Sequence, residues 1–291
     1  MIDYDPKEWL GIAFRVHGTI APRLVGRTLF VALVGVAAAY AYQQHSFKIP
    51  AITHTLIGLA LGLLLVFRTN ASYDRFWEGR KLLGSMVNRT RDFARQLAAF
   101  LPDPDEVTTA RMRAARRYVV LFYALGMQGL RGERDLAPLK ALVAPGDTAW
   151  LEASKARGPV ALARASRELQ SLRTEGKLTE IQVMLLDGNL TSLMDSLGAC
   201  ERIVRTPIPL AYAQHIKILV LLFCATIPFA MVDAMKWATP VASGILAYAL
   251  FGIDEIGVEI EDPFGYDAND LPIDRIQDVI DGSTADIIAN G

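Results

Sequence analysis

AITHTLIGLALGLLLVF (residues 51–67) runs without a break into RTNASYDRFWEGRKLLGSMVNRTR (residues 68–91). The first part carries no charge and, as a helix, is long enough to cross the hydrocarbon of a bilayer once its flanks complete the span. The second keeps a helical rhythm but alternates Arg, Asp, Glu, Phe and Trp, the pattern of a helix that leaves lipid for water and protein contacts. One helix is therefore expected to join a membrane core to a soluble domain.

Composition agrees with a chain only partly in a membrane. Of 291 residues 52% are hydrophobic, while 21% are charged, too many for a protein made only of spans. The mean hydropathy of +0.26 lies above that of a soluble chain. The 30 basic and 31 acidic residues nearly cancel overall but are unevenly placed. Residues 68–207 hold 22 Lys and Arg against 16 Asp and Glu, and residues 253–291 hold 1 against 11. Cys200 and Cys224 give neither a disulfide framework nor a zinc spacing and read as packing residues.

Four apolar stretches fall in two pairs: residues 24–42 and 51–67, then 208–232 and 237–253. The short links between members of a pair predict helical hairpins. The expected organisation is an N-terminal cytoplasmic segment (1–23), a first transmembrane hairpin (24–67), a helical cytoplasmic domain (68–207), a second hairpin (208–253) and an acidic cytoplasmic tail (254–291). Residues 1–18 are mixed polar and aromatic, unlike a signal peptide. Arg15, Arg23 and Arg27, then Arg68, Arg75, Arg80 and Lys81, then Arg202 and Arg205 flank one side of the spans. Lys48 and Lys236 alone flank the other. By the positive-inside rule both termini and the central segment are cytoplasmic. Lys217, inside the third stretch, is read as snorkelling to the interface, and Asp254 with Glu255 as closing the last span.

The central segment reads as helix throughout, with breaks at Leu101–Pro102, Ala144–Pro145–Gly146 and Gly158–Pro159, and with Asp105 and Thr179 as N-caps. Pro228 and Pro240 are expected to kink the last two spans. The fold class is all-α. His17, His45, His54 and His215 are scattered, and no Walker loop, dinucleotide fingerprint or nucleophile elbow is present, so enzyme chemistry is not expected. The basic residues of the central segment alternate with acids at amphipathic spacing, which argues against nucleic acid and for a solvated or inter-subunit helix face.

Leu59, Leu63 and Phe67 fall at i, i+4 and i+8 on one helix face, with Gly58, Ala60 and Gly62 offering small surfaces for close helix contact. Two readings of this stripe stand side by side. It faces lipid or core, or copies of the helix surround an axis and the stripe becomes stacked apolar rings that gate by dewetting.

FRTNASYDRFWEGRKLLGSMVNRTRDFARQ after the second stretch, IPLAYAQHIKILVLLF at the third and EIEDPFGYDANDLP after the fourth resemble the bestrophin family, in the right order along nearly the whole chain. The chain looks like a compact bacterial member. The resemblance implies a homopentamer around one continuous pore, four transmembrane helices per chain and passive conduction of monovalent ions, with chloride as the family's label. It places Leu59, Leu63 and Phe67 on the pore neck, where animal members usually carry aromatic residues at the second and third positions. Leu63 in place of an aromatic removes one ring of positively polarised edges, which leaves cation conduction as the alternative. It places the cytoplasmic aperture on Ile181, an ordinary core isoleucine if read alone, beside Glu180.

The acidic segment corresponds by the same resemblance to a calcium clasp, with Glu259, Asp262, Asp267 and Asp270 at or near clasp positions. Tyr266 and Ala268 stand where calcium-gated members carry acids, which weighs against a calcium site. The reading preferred here is that no cofactor is required, and that these acids pair with basic central helices of a neighbouring subunit. The expected partners are further copies of this chain, the lipid bilayer and monovalent ions, without nucleic acid. A membrane scaffold or receptor with a cytoplasmic binding domain is the rival from another functional class.

Overall fold

The computed structural model of the chain describes Asp5 and residues 7–291. Among the described residues the α-helices are α1 (Trp9–Ala13), α2 (Ala21–His45), α3 (Ala51–Phe100), α4 (Glu106–Leu130), α5 (Thr148–Ala153), α6 (Arg157–Thr174), α7 (Glu180–Arg205), α8 (Leu210–Met235), α9 (Thr239–Glu259) and α10 (Ile273–Asn290), with two short 3-10 turns and no strand. They form two compact units. One comprises the residues up to Trp77 with Pro207–Asp270, the other Glu78–Thr206 with Leu271–Gly291. α3 continues unbroken through the division for its 50 residues. The division falls after Trp77, and the acidic end of the chain is shared between the units.

Among the described residues three helical stretches are long and apolar enough to cross a membrane: Ala21–His45, Ala51–Phe100 and Leu210–Glu259. The third is folded in two at Lys236, whose φ of 49° is a left-handed conformation that costs a side-chain-bearing residue free energy. Lys236 is held there by Tyr42 and Asp233: its Nζ donates to Tyr42 Oη at 2.7 Å and Asp233 at 3.3 Å and lies 4.1 Å from the centre of the Tyr42 ring. Asp233 also accepts from Lys48 at 2.7 Å, and Ile49 N donates to Phe229 O, so both hairpin turns are tied together at one end.

Within the first unit, α2 packs on α9 through small residues, as expected where lipid removes the hydrophobic drive and only close contact is left. A Cβ on Gly35 would stand 2.7 Å from Pro240 Cα, while Gly252 faces Leu24 and Ile20. Leu61 and Leu65 of α3 join Leu24, Ile216, Val220 and Phe251 in the core. Pro240 lies in the first turn of α9, where no N–H bond is lost, so the expected kink there does not occur. Pro228 does sit inside α8.

Charges cross this apolar unit in pairs. Arg68 of α3 and Asp254 of α9 are 1% and 4% exposed. Arg68 Nε lies 3.2 Å from Asp254 Oδ1, and Lys217 Nζ of α8 donates to Asp254 Oδ2 at 3.0 Å. Lys217 is therefore anchored by a buried carboxylate rather than snorkelling alone. Arg68 Nη2 reaches Glu261 at 3.5 Å, whose other oxygen accepts from Ile208 N at the entry to α8. Arg27 of α2 pairs with Glu255 at 2.8 Å. All four apolar helices are thereby cross-linked by ions.

In the second unit, α4 is buried along most of its length between α6, α7 and α10. The two sequence-read caps are present: Asp105 accepts from Thr108 N at 2.7 Å, and Thr179 forms a capping box with Gln182. Buried Asp147 gathers the loop after α4, accepting from Tyr118 Oη, Trp150 Nε1 and Ala144 N and pairing with Arg117. Gly158 and Pro159 fall within the first turn of α6, so the helix starts just before them instead of ending there. Burial pushes the Cys200 thiol up to about 12, in keeping with a packing residue. The last residues are an amphipathic helix rather than a loose tail: α10 docks on α4 through Arg116, which donates to Thr284 at 3.0 Å and pairs with Asp281, and through Tyr123 Oη to Ile273 O.

Removing one partner of a buried ion pair strands the other and costs about 3–5 kcal/mol. Asp254→Asn is expected to lower the thermal midpoint of the detergent-solubilised protein sharply. The double substitution Arg68→Met with Asp254→Leu should recover much of that loss. Melting curves of the three proteins check it.

Candidate functional site

α3 has two opposed faces. Leu61, Leu65, Arg68 and Ser72 are each 1% exposed or less and face the core. Leu59, Leu63 and Phe67 are 77%, 56% and 57% exposed within the chain. The exposed line begins earlier, at Ile52 and Leu56, and continues past Phe67 into polar Asn70 and Asp74. Gly58 gives the phenyl ring of Phe223 its seat, with a Cβ there 3.2 Å from the ring, whereas Gly62 meets no neighbour within 4 Å. Of the small residues read as contact surfaces, Gly58 makes a contact and Gly62 is open. His54 Nε2 and Thr226 Oγ1, 2.9 Å apart, fix the start of the helix against α8.

Ile181, in the first turn of α7, is 67% exposed, and Met184 and Leu185 beside it are 66% and 48% exposed. Within one chain it is no core residue. The capping box at Thr179 and Gln182 fixes the turn that carries it, and Glu180 next to it is exposed.

The acidic segment is organised around an arginine. Arg23, at the start of α2, donates to Glu259 Oε2 at 3.2 Å and to Asp267 Oδ1 at 2.8 Å. Asn269 Nδ2 bonds the other Glu259 oxygen at 2.6 Å and Gly18 O at 3.2 Å. Asp262 and Asp270 approach each other across Gly265, where a Cβ would stand 2.8 Å from Asp270 Oδ2 and 3.5 Å from Asp262 Oδ2. Asp270 accepts from Asp267 N at 2.6 Å. Its carboxyl is pushed up to about 6 by burial, with the charges of Asp267, Asp262 and Glu259 adding to the rise and the backbone donor opposing it.

Within the chain, Glu259 and Asp267 are already paired. Their partner is Arg23 of the same chain, brought near because α2 packs along α9. The acids that do meet a basic central helix are Asp274 and Asp281, opposite Arg131 and Arg116 of α4. The donor set fits calcium poorly. A guanidinium already neutralises two of the four carboxylates, the remaining two fall short of six to eight oxygens, and among the described residues no three His, Cys, Asp or Glu side chains converge on a metal-sized site.

Two features of the site were not singled out from sequence: the Arg68–Asp254–Lys217 chain, and Arg23 as the internal counter-ion of the acidic loop. The first was detectable, because charges inside apolar stretches must find one another. Lys217 stands inside the third stretch, and Arg68 and Asp254 stand immediately after the second and fourth.

The family model for the bacterial and fungal bestrophin proteins matches residues 1–286. A voltage-dependent anion channel-forming protein of Nostoc sp. is 39% identical over 275 residues, covering 93% of this chain and 88% of that protein. One from Synechocystis sp. is 36% identical, covering 98% and 93%. A crystal structure of a bacterial bestrophin homolog from Klebsiella pneumoniae superposes with a TM-score of 0.84 at 33% identity, over 92% of this chain and 99% of that one. From end to end, in sequence and in fold, this chain belongs to the bestrophin family.

Proposed function

We propose that the chain is the subunit of a homopentameric channel that conducts small anions, chloride foremost, passively across the bacterial inner membrane. The observation that carries this reading is the face of α3, where three large apolar side chains at four-residue spacing stay more than half exposed while the opposite face is buried. Around a five-fold axis that face forms three stacked rings, narrow enough to hold back water and ions until they widen. The relatives are named for forming voltage-dependent anion channels, and the functional class comes to this chain through the family. It also separates the chain from enzymes and from passive scaffolds.

In this reading α2, the first part of α3, α8 and α9 are four transmembrane helices. Both termini and the unit of Glu78–Thr206 with Leu271–Gly291 lie in the cytoplasm, on the side of Arg23, Arg27, Arg68 and Arg75. Ile181 forms a second apolar ring at the cytoplasmic exit, supported by its exposure on a firmly capped helix turn. Opening does not depend on calcium, because Arg23 supplies the positive charge that the acidic loop requires.

Shortening the neck widens and wets it: Leu63→Ala with Phe67→Ala is expected to raise open probability or unit conductance several-fold in planar bilayers without loss of assembly. The reversal potential under a salt gradient reads the sign of the permeant ion. Unchanged currents from an assembled double variant remove these residues from the pore. Ile181→Ala is expected to leave total current near wild type but bring the permeabilities of large and small anions closer together, as bi-ionic potentials will show. Chelating calcium should leave currents within about twofold, since the site lacks the oxygen count a hard cation needs. Currents that vanish with chelator and return with calcium overturn that part of the reading.

A further inference from the structure

The second unit contains a cavity of about 310 Å³ between the end of α4, the start of α6 and α7. Its wall is open at Gly129 and Gly132, neither of which meets a neighbouring atom within 4 Å of a Cβ position, and the φ of 71° at Gly132 suits glycine. Three cations line the cavity, Arg134, Lys155 and Arg157, with Glu133 and Glu201 also on the wall. Glu201 is engaged by Arg205 at 3.3 Å. Among the described residues, none of the three cations has a carboxylate within the 4.0 Å of an ion pair.

The arginines are nonetheless held in place, by carbonyls instead of charges. Arg157 donates from Nε to Leu151 O at 2.6 Å and from Nη1 to Arg134 O at 2.7 Å, and Arg134 donates to Ser154 O at 2.8 Å. The guanidinium groups are thus positioned by carbonyls, with no carboxylate in ion-pair contact among the described residues. Burial and the neighbouring charge of Arg134 lower the proton affinity of Arg157, and the charge of Glu152 opposes them in part.

A neutral acceptor completes the wall. Gln128, 9% exposed, donates from Nε2 to Asp135 O at 2.7 Å, which fixes the orientation of its amide. Its Oε1 is then the acceptor, and it is buried without a hydrogen-bond partner. A buried acceptor left unmet is costly and calls for a donor.

We propose that this cavity is a binding site for a small phosphomonoester carrying free hydroxyl groups, its phosphate on Arg134, Lys155 and Arg157 and a hydroxyl donating to Gln128 Oε1. Three cations lining one cavity match a dianion with three terminal oxygens better than a single carboxylate, since each N–H to phosphate contact is charge-assisted. The site does not rest on the channel reading, because every residue in it lies outside the neck and the aperture.

The test is isothermal titration of the full-length, detergent-purified protein with glycerol 3-phosphate, inorganic phosphate and glycerol. Glycerol 3-phosphate is expected to bind at one site per chain, about tenfold tighter than inorganic phosphate, with no heat from glycerol. Lys155→Ala, at an exposed position, should weaken the phosphoester about tenfold while leaving bilayer currents unchanged. Gln128→Met should erase the preference over inorganic phosphate. Absence of binding to a protein that melts cooperatively overturns the proposal. So does an affinity untouched by Lys155→Ala but altered by Leu63→Ala, which would mark an ion held in the pore.

Discussion

A buried arginine beside an apolar span must be paired with an opposite charge or it destabilises its surroundings, and in this chain that requirement falls on Arg68. Its pairing with Asp254 fixes the rotation of α3 about its own axis. At about 100° per residue Leu59 stands about 180° from Arg68, Leu63 about 140° and Phe67 about 100°. Burying the arginine therefore turns the leucine–phenylalanine line outward. Lys217 and Glu261 extend the pairing to α8 and to the loop after α9, so the helix that carries the exposed line is braced on several sides by ions.

Much of this architecture can be read in the sequence because its signals are local. Asp105 and Thr179 announce their helices through short side chains followed by helical rhythm, and both make the expected bonds. The apolar stretches and their short links are equally local. What escapes is long-range pairing. Nothing near Glu259 or Asp267 in the sequence announces Arg23, which lies 236 and 244 residues away and meets them only because α2 and α9 pack through glycines. The helix of residues 273–290 is hidden for a related reason: its four aspartates draw it into the acidic end of the chain, while the apolar face that includes Ile273 and Ile280 acquires meaning only against α4. Pro240 misleads because proline in a first turn and proline in mid-span look alike until the turn at Lys236 is located.

The placement of the candidate residues separates two kinds of conformity with the family. Leu59, Leu63, Phe67 and Ile181 share an exposure that a monomeric soluble protein would rarely give to large apolar side chains in such regular array. The acidic loop follows a different logic, since its carboxylates are already spent on a guanidinium, an amide and backbone donors. One set of residues is left over by the single chain and awaits a partner, while the other is largely complete within it.

The unbroken course of α3 also sets a rule for how such a chain can vary. Because one helix carries the Leu59–Phe67 line at one end and the buried Leu83, Met86 and Phe93 at the other, inserting or deleting one residue between them would turn one set relative to the other by about 100°. Apart from buried Arg68 and Ser72, side-chain identity along the intervening stretch is free to drift, but its length is not. Across related chains, gaps should therefore collect in the loops after α4 and before α6 and be absent from the middle of α3, so that this helix acts as a ruler on which substitutions are permitted and frame shifts are not.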